Sequence, residues 1–321
     1  MKCSISIFDH GIVFTTQYLP AYSYITSLDN FFHIDNYSVA QVAYKYTLEY
    51  VNSQTVSGFF KVDNTTFVFA ENWERINSTT QLMSIIYQLI ELDRQENNAF
   101  LLHASGVSFN GNAVLLLGEA GAGKTSLMLR LCKSKNFKMI SNDKLSLCYN
   151  DDLKNASVSV GSRIINLRLS GVQSNNTCLL PEIETPDHRN YSDKKLVTTN
   201  ELGIRFETES TILKRLVIVD IREWKGKPEF SVFPNLSKKN PWADINTLAS
   251  YFSKLIRGCD QSMVNNEKRL NEKMPPPMLD TDTTYKNRSR FVNWLIDNKM
   301  CFSLHANIDD AEKIVSKLLE G

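Results

Sequence analysis

The stretch Leu101–Asp143 reads LLHASGVSFNGNAVLLLGEAGAGKTSLMLRLCKSKNFKMISND, and its centre decides the fold. Gly118-Glu119-Ala120-Gly121-Ala122-Gly123-Lys124-Thr125 fills every fixed position of the G-x-x-x-x-G-K-[ST] phosphate-loop pattern. The apolar run Ala113 to Leu117 leads in as a strand, and Ser126 to Cys132 follows with helical spacing. Glycines at Gly118, Gly121 and Gly123 let the backbone turn tightly, so that successive N–H groups converge on phosphate oxygens. The helix behind them adds the partial positive charge of its N-terminus. On this reading Gly118 through Ser126 hold a nucleoside triphosphate. Lys124 reaches the β- and γ-phosphates, and the Thr125 hydroxyl ligates Mg²⁺.

Working outward, Phe109-Asn110-Gly111-Asn112 lies between two apolar runs, and Asn-Gly is a strong hairpin signal. The loop is therefore expected to be fed by the second strand of a hairpin whose first strand begins near His103. Antiparallel feeding is unusual, because parallel βαβ wiring dominates nucleotide-binding sheets. Downstream, Phe137-Lys-Met-Ile-Ser-Asn142-Asp143 reads as a short strand ending in a carboxylate suited to a metal.

Together, His103, the hairpin, the glycine loop and Asn142-Asp143 resemble the HPr serine kinase/phosphorylase family and its kinase-like relatives. In that family a histidine precedes a hairpin that runs into the phosphate loop, and an acidic pair closes the next strand. The resemblance covers Leu101–Asp143. It implies an α/β fold with a P-loop kinase core of HPr kinase/phosphoenolpyruvate carboxykinase type, its mixed sheet joined to a β-rich N-terminal subdomain. It also implies catalytic roles for His103, Lys124 and Asp143, with Thr125 and Asp143 holding Mg²⁺. One position departs from the family: Asn142 stands where the first acid is expected, so Asp143 is the only carboxylate of the pair. The arginine-glycine-rich segment that follows in HPr kinase itself is not recognisable.

Composition bounds the remainder. A chain of 321 residues, 42% hydrophobic and 22% charged, has room for one large domain or two smaller ones. The expected division is residues 1–95 and 96–321, with a polar insertion near 258–290. A net charge of +1 offers no global attraction to nucleic acid or anionic membrane. No apolar run approaches a membrane span, and Asp9 and His10 interrupt the start before a signal peptide could form. A cytoplasmic protein is expected. Its cysteines, scattered without C-x-x-C spacing, are expected reduced and mostly buried.

Within residues 1–95, Gly58–Phe69 reads as a hairpin about Asp63-Asn64. After the capping signal Asn77-Ser78-Thr79, the spacing of Leu82, Ile85, Ile86, Leu89, Ile90 and Leu92 predicts an amphipathic helix. That helix is expected to pack on the kinase sheet. Beyond Asp143 the chain stays β-like to Leu169, with turns at Asn150–Asp152 and Val160–Ser162. Arg163 and Arg168 there are the residue type that neutralises a transferring phosphoryl group. Thr177–Leu202 reads as a loop, with His188 solvated in it. Leu213–Asp220 reads as a buried strand whose terminal Asp220 either faces the nucleotide or simply caps the strand. Asn246–Ile256 is helical by pattern. The polar run Gly258–Arg290 reads as a flexible insertion or lid, with a helix resuming at Phe291. Phe302–Ala306 reads as a short strand that makes His305 structural, and Asp309–Leu319 as a closing amphipathic helix.

The expected activity is phosphoryl transfer from ATP, with Mg²⁺, to a hydroxyl. GTP is equally compatible, since no base-reading motif is visible. The expected acceptor is a serine of a peptide or small protein, such as a ribosomally made peptide undergoing tailoring. A small-molecule acceptor such as free serine or a sugar is the alternative. Asn142 motivates a third reading, a nucleotide-binding regulatory or scaffold protein without turnover. No nucleic acid or membrane partner is expected, and a homo-oligomer is compatible with the sequence.

Overall fold

Lys2–Ile7 (β1) and His10–Thr16 (β2) carry alternating branched and aromatic residues, and they pair antiparallel with Ile5 opposite Ile12. They open the computed structural model. It describes residues 1–27, 37–40, 42–77, 81–134, 137–150, 152, 154–159, 161–168, 194–221, 226–237, 240–257 and 279–320. The architecture is mixed α/β. Two compact units are present: Met1–Phe100 with Ser250–Ser289, and Leu101–Ala249 with Arg290–Gly321.

The first unit continues through Leu19–Thr26 (α1), Tyr37–Ala40 (β3), Tyr46–Asn52 (β4), Gly58–Lys61 (β5), Thr66–Glu71 (β6), Trp73–Ile76 (α2) and Gln81–Glu96 (α3). Its sheet runs β3-β1-β2-β4-β6-β5, with β2, β4 and β6 mutually parallel and the other pairs antiparallel. The expected hairpin is β5–β6, closed by Asp63, whose Oδ1 accepts from the N–H groups of Thr65 and Thr66 at 2.7 Å each. The expected helix is α3, with Leu82, Ile85, Ile86, Leu89, Ile90 and Leu92 all buried. Its partner differs from the expectation, since α3 lies on β2 and β4 of this first sheet. The buried Ile12, Phe14 and Leu48 provide an apolar face there that the local pattern of α3 could not announce. Residues 78–80 of the capping signal lie outside the described residues.

Polar contacts explain why Ser250–Ser289 belongs to this unit. Arg94 is fully buried, donates to the Ile7 carbonyl at 3.0 Å and lies 3.5 Å from Glu91. Arg288 donates to Gln95 Oε1 at 2.6 Å and to Asp280 at 2.6 Å, while Asn287 Nδ2 donates to the Gln95 carbonyl at 2.8 Å. Desolvated charges persist only when partnered in this way.

The second part of the chain comprises Ala99–His103 (β7), Ser105–Phe109 (β8), Asn112–Leu117 (β9), Lys124–Ser134 (α4), Lys138–Ser141 (β10), Lys144–Asn150 (β11), Asn155–Ser159 (β12), Ile164–Arg168 (β13), Lys194–Thr198 (β14), Thr211–Asp220 (β15), Glu229–Val232 (β16), Trp242–Ser253 (α5), Asp282–Asp297 (α6), Cys301–His305 (β17) and Ile308–Glu320 (α7). Nine of these strands form one sheet, in the order β10-β8-β9-β15-β12-β11-β7 with β17 and β16 added beyond β15. Strand β15 is long enough to pair with β12 through Thr211 and Ile212 and with β17 through Leu216 to Asp220, while β9 covers its other side. The β8–β9 hairpin turns at Asn110 and Gly111, with φ of 49° and 76°; two positive φ values match the twist of the flanking strands. Helices α4 and α7 cover one face. Leu127, Met128, Leu131, Ala311 and Val315 meet Val107, Val114, Leu116, Val217 and Val219 in one buried cluster. Each buried Val, Leu or Met side chain among them contributes about 1.5–3 kcal/mol by leaving water.

The hairpin's first strand begins near His103 as expected: His103 ends β7, Ala104 turns the chain and donates its N–H to the Asp143 carbonyl at 2.9 Å, and β8 starts at Ser105. Two expectations need correction. The polar run to Arg290 is helical from Asp282, since Thr284, Asn287, Arg288 and Phe291 form a buried stripe at helical spacing. Lys194–Thr198 pairs with β13 where a loop is expected. Residues 169–193, with His188, and residues 258–278 lie outside the described residues. Among the described cysteines, Cys3, Cys132 and Cys301 are buried free thiols and Cys148 is exposed. Among the described residues no helix is long and apolar enough to cross a membrane.

Candidate active site

Strand direction assembles the site. Strand β10 is antiparallel to β8, β8 to β9, and β15 and β17 run parallel to β9. Thus β10, β9, β15 and β17 all end at one edge of the sheet. In α/β sheets that carboxyl edge is where ligands bind. The residues delivered there are Asn142-Asp143 after β10, the glycine loop after β9, Asp220 on β15 and His305 on β17. His103 arrives at the same edge because β8 starts from it.

The loop has the backbone its sequence requires. Gly118, Gly121 and Gly123 carry φ of 146°, 81° and 89°. Gly123 is constrained twice: beyond its φ, a Cβ there would lie 2.0 Å from Ile221 Cγ1. Ala122 N donates to the Glu119 carbonyl at 3.1 Å, and Ile221 N donates to the Ala122 carbonyl at 3.1 Å, so the end of β15 buttresses the loop. Glu119, Ala120 and Gly121 are exposed at the rim, whereas Lys124 is buried. Its Nζ donates to the carbonyls of Gly118 at 2.7 Å and Glu119 at 3.1 Å. Thr125 and Ser126 are half-buried in the first turn of α4, where the helix partial charge is positive.

His103 Nε2 lies 3.2 Å from Asp143 Oδ1, and both side chains are partly exposed. The backbone around them is stitched: Ser105 Oγ donates to the Asn142 carbonyl at 2.9 Å, beside the Ala104–Asp143 bond. Asn142 is 7% exposed, and its Oδ1 is buried without a hydrogen-bond partner among the described residues. An orphaned buried carbonyl oxygen beside a carboxylate can ligate a cation or accept a hydrogen bond from a hydroxyl.

A second loop abuts this corner. Ser162 N donates to Ser141 Oγ at 3.1 Å, and Gly161 N to the Ile140 carbonyl at 3.0 Å. A Cβ at Gly161 would lie 2.0 Å from the Lys144 carbonyl oxygen, so only glycine fits. Arg163 follows immediately, with its guanidinium 4.6 Å from the Phe206 ring centroid. The side chain of Arg168 lies outside the described residues.

Sequence reasoning brought His103, Lys124, Thr125 and Asp143 forward as site residues, and all stand at this edge. It marked Gly161 only as part of a turn and did not single out Ile221; it left Asp220 as either a group facing the nucleotide or a cap, and it read His305 as structural. The register pairs Asp220 with His305, whose Nδ1 is 4.0 Å from Asp220 Oδ2. The signal for Asp220 was the run Leu216-Val-Ile-Val219 before an acid, informative only once that strand is known to lie beside β9. Among the described residues no group of three or more His, Cys, Asp or Glu side chains forms a ready metal cluster. No protein-family model matches the chain, and no curated protein matches its sequence.

Proposed function

We propose that the chain is a Mg²⁺- and ATP-dependent kinase that phosphorylates a hydroxyl, with a serine of a peptide or small protein as the acceptor. The observation that carries this reading is the His103–Asp143 pair, 3.2 Å apart, on the sheet edge that also bears the glycine loop and Lys124. Loop, helix terminus and Lys124 suit a polyphosphate: convergent N–H donors, a partial positive charge and a buried ammonium. When bound, Mg²⁺ neutralises phosphate charge and the nucleotide supplies the phosphoryl group.

The protein's part is positioning and proton handling, as phosphoryl transfer demands. Lys124, which now donates to the carbonyls of Gly118 and Glu119, would hold phosphate oxygens, and the Thr125 hydroxyl would hold the metal. Asp143, oriented by His103, would accept the proton of the acceptor hydroxyl as that oxygen bonds to the γ-phosphorus and the bond to the β–γ bridging oxygen breaks, leaving the nucleoside diphosphate.

The test is transfer from γ-labelled ATP with Mg²⁺ to peptide and small-molecule pools, resolved by mass spectrometry. One phosphoryl group on a peptide serine is the expected result. Label on a free metabolite would select the small-molecule kinase instead. Nucleotide binding without transfer to either pool would favour the regulatory reading, for which the amide at Asn142 is the motivating observation.

A further inference from the structure

Strand β16 pairs with β17 on one side, and no described strand pairs with its other side. The register fixes which of its backbone groups are engaged. Phe233 N donates to the Cys301 carbonyl at 2.9 Å, so Phe233, Ser231 and Glu229 turn their N–H and C=O toward β17. By the same alternation Phe230 and Val232 turn theirs outward, along the open edge. Pro228 and Pro234 bracket them without an N–H to add, so the open ladder is short.

The side chains beside this edge are apolar. The register pairs Val217 with Phe302 and Val219 with Leu304, and then Phe302 with Val232 and Leu304 with Phe230. These residues therefore share the face that α4 and α7 cover over the middle of the sheet. Toward β16 the cover thins. Phe230 stacks on the half-buried Phe302 with ring centroids 4.8 Å apart, and Phe230 and Val232 are 37% and 41% exposed. Open edges are commonly blunted by a lysine or an inward-pointing charge, and neither Phe230 nor Val232 supplies one. Beyond β16 the chain presents Leu236 and Trp242, both exposed, and between them Asn235 N is tied to Asp244 Oδ2 at 3.2 Å. Large apolar side chains gathered in one short stretch mark an interaction surface.

The edge also leads to the candidate active site. Glu229 is paired with His305, and His305 with Asp220, so β16 begins at the ligand-bearing edge and runs away from it. A strand added antiparallel to β16 would run parallel to β9 and leave the sheet on the side of the glycine loop. It would lie four strand spacings from β9 and six from β10, about 19 to 29 Å. An extended chain, at about 3.3 Å per residue, covers that span in about six to nine residues.

We propose that β16 is the docking edge for the peptide acceptor. An extended apolar segment of the peptide adds as a strand antiparallel to β16, exchanges hydrogen bonds with Phe230 and Val232, and covers their side chains. The serine that receives the phosphoryl group lies about six to nine residues C-terminal to that segment. This rests on the peptide-kinase reading above. Backbone bonds supply affinity, and the patch of Phe230, Val232 and Phe302 supplies a preference for apolar residues. Docking stands apart from the chemistry.

The experiment gives the full chain, Mg²⁺ and γ-labelled ATP a synthetic peptide pool. Each peptide carries the segment Val-Phe-Val-Ile and one serine set among randomised residues, on either side of the segment. Spacers of about 2, 7 and 14 residues separate the two, chosen against the span above. Labelling should be strongest for a serine C-terminal to the segment across the middle spacer. Val232→Pro removes only an outward N–H, and Phe230→Lys puts a charge on the edge. Each should raise KM for those peptides by about 10-fold or more, with kcat within about 3-fold, as loss of uniform binding does. Ser231→Ala, whose hydroxyl meets Ser303 on the opposite face, should change neither. Unchanged affinity for a fluorescent ATP analogue reports that the variants fold.

Hydrogen exchange in the wild type needs no variant: the best peptide should slow exchange at the Phe230 and Val232 amides. Labelling that ignores the segment, its distance or its side overturns the docking edge and leaves the peptide-kinase reading standing. So does an unchanged KM in Val232→Pro, or unchanged exchange at both amides. Exchange that slows without peptide as protein concentration rises would assign the edge to a second copy and overturn the proposal. A wild type that labels no peptide in the pool removes the peptide reading itself, and this inference with it.

Discussion

His103 Nε2 and Asp143 Oδ1 lie 3.2 Å apart, although a hairpin, the glycine loop and helix α4 separate them in sequence. Two backbone ties hold the corner, Ala104 N to the Asp143 carbonyl and Ser105 Oγ to the Asn142 carbonyl. If Asp143 is the base, Asp143→Asn should cut single-turnover phosphoryl transfer by about 10²–10⁴-fold, the usual worth of a positioned base. Nucleotide affinity should stay within a few-fold of wild type. Transfer at undiminished rate in Asp143→Asn would remove the residue from the chemistry.

Lys124 donates to two loop carbonyls that a polyphosphate would replace. Lys124→Ala should therefore lose nucleotide affinity whichever acceptor is correct, by about 10-fold or more given about 1.5–3 kcal/mol for a hydrogen bond to a charged group. Titration calorimetry checks this, and unchanged affinity would mean that the loop does not bind phosphate.

Gly123→Ala probes the same loop sterically. The added Cβ would lie 2.0 Å from Ile221 Cγ1, at a φ of 89° that a side chain rarely adopts. The cost should be about 1–3 kcal/mol of stability, together with loss of nucleotide binding. Urea unfolding and analogue fluorescence measure the two effects, and a variant normal in both would contradict the loop geometry.

In the first unit, Arg94 is fully buried against Glu91 and the Ile7 carbonyl. Arg94→Leu removes the guanidinium beside the buried Glu91, which keeps its hydrogen bond from Gln95 Nε2 at 2.7 Å, and the expected destabilisation is about 3–5 kcal/mol. The midpoint of chemical denaturation reports it. A change below about 1 kcal/mol would show that Arg94 is exchangeable for an apolar side chain there.

Among the described residues, Asp280 and Glu207 are partly buried carboxyls that contribute to stability against acid. Burial alone would push the Asp280 carboxyl up, but hydrogen bonds from Thr284, Arg288 and Arg257 outweigh it and hold the group below its usual value. Glu207 is likewise held down, against burial, by Ser108 Oγ at 2.7 Å and Lys138 Nζ at 3.1 Å. A carboxyl depressed on folding stabilises above its unfolded value, about 3.9 for Asp and 4.3 for Glu, and loses that contribution as pH falls through the lower folded value. Stability should decline below about pH 4. Asp280→Asn should lower stability at pH 7 and flatten that decline, measured as urea midpoints against pH.

What could be read from the sequence was local. The strand, loop and helix at Ala113–Cys132, the Asn110-Gly111 turn, the β5–β6 hairpin and the amphipathic face of α3 depend on φ preferences and on periods of 2 and 3.6, which neighbours in sequence determine. His103 and Asp143 were legible as candidates because each sits beside such a local signal. What only the tertiary structure decided was long-range pairing. It placed β15 beside β9 and so set Asp220 next to the start of the loop. It seated α3 on the first sheet, and it joined Ser250–Ser289 to the N-terminal unit through Arg288, Asn287 and Asp280. Such pairings are chosen by many weak packing and polar contacts summed between segments far apart in sequence. No single stretch carries that sum.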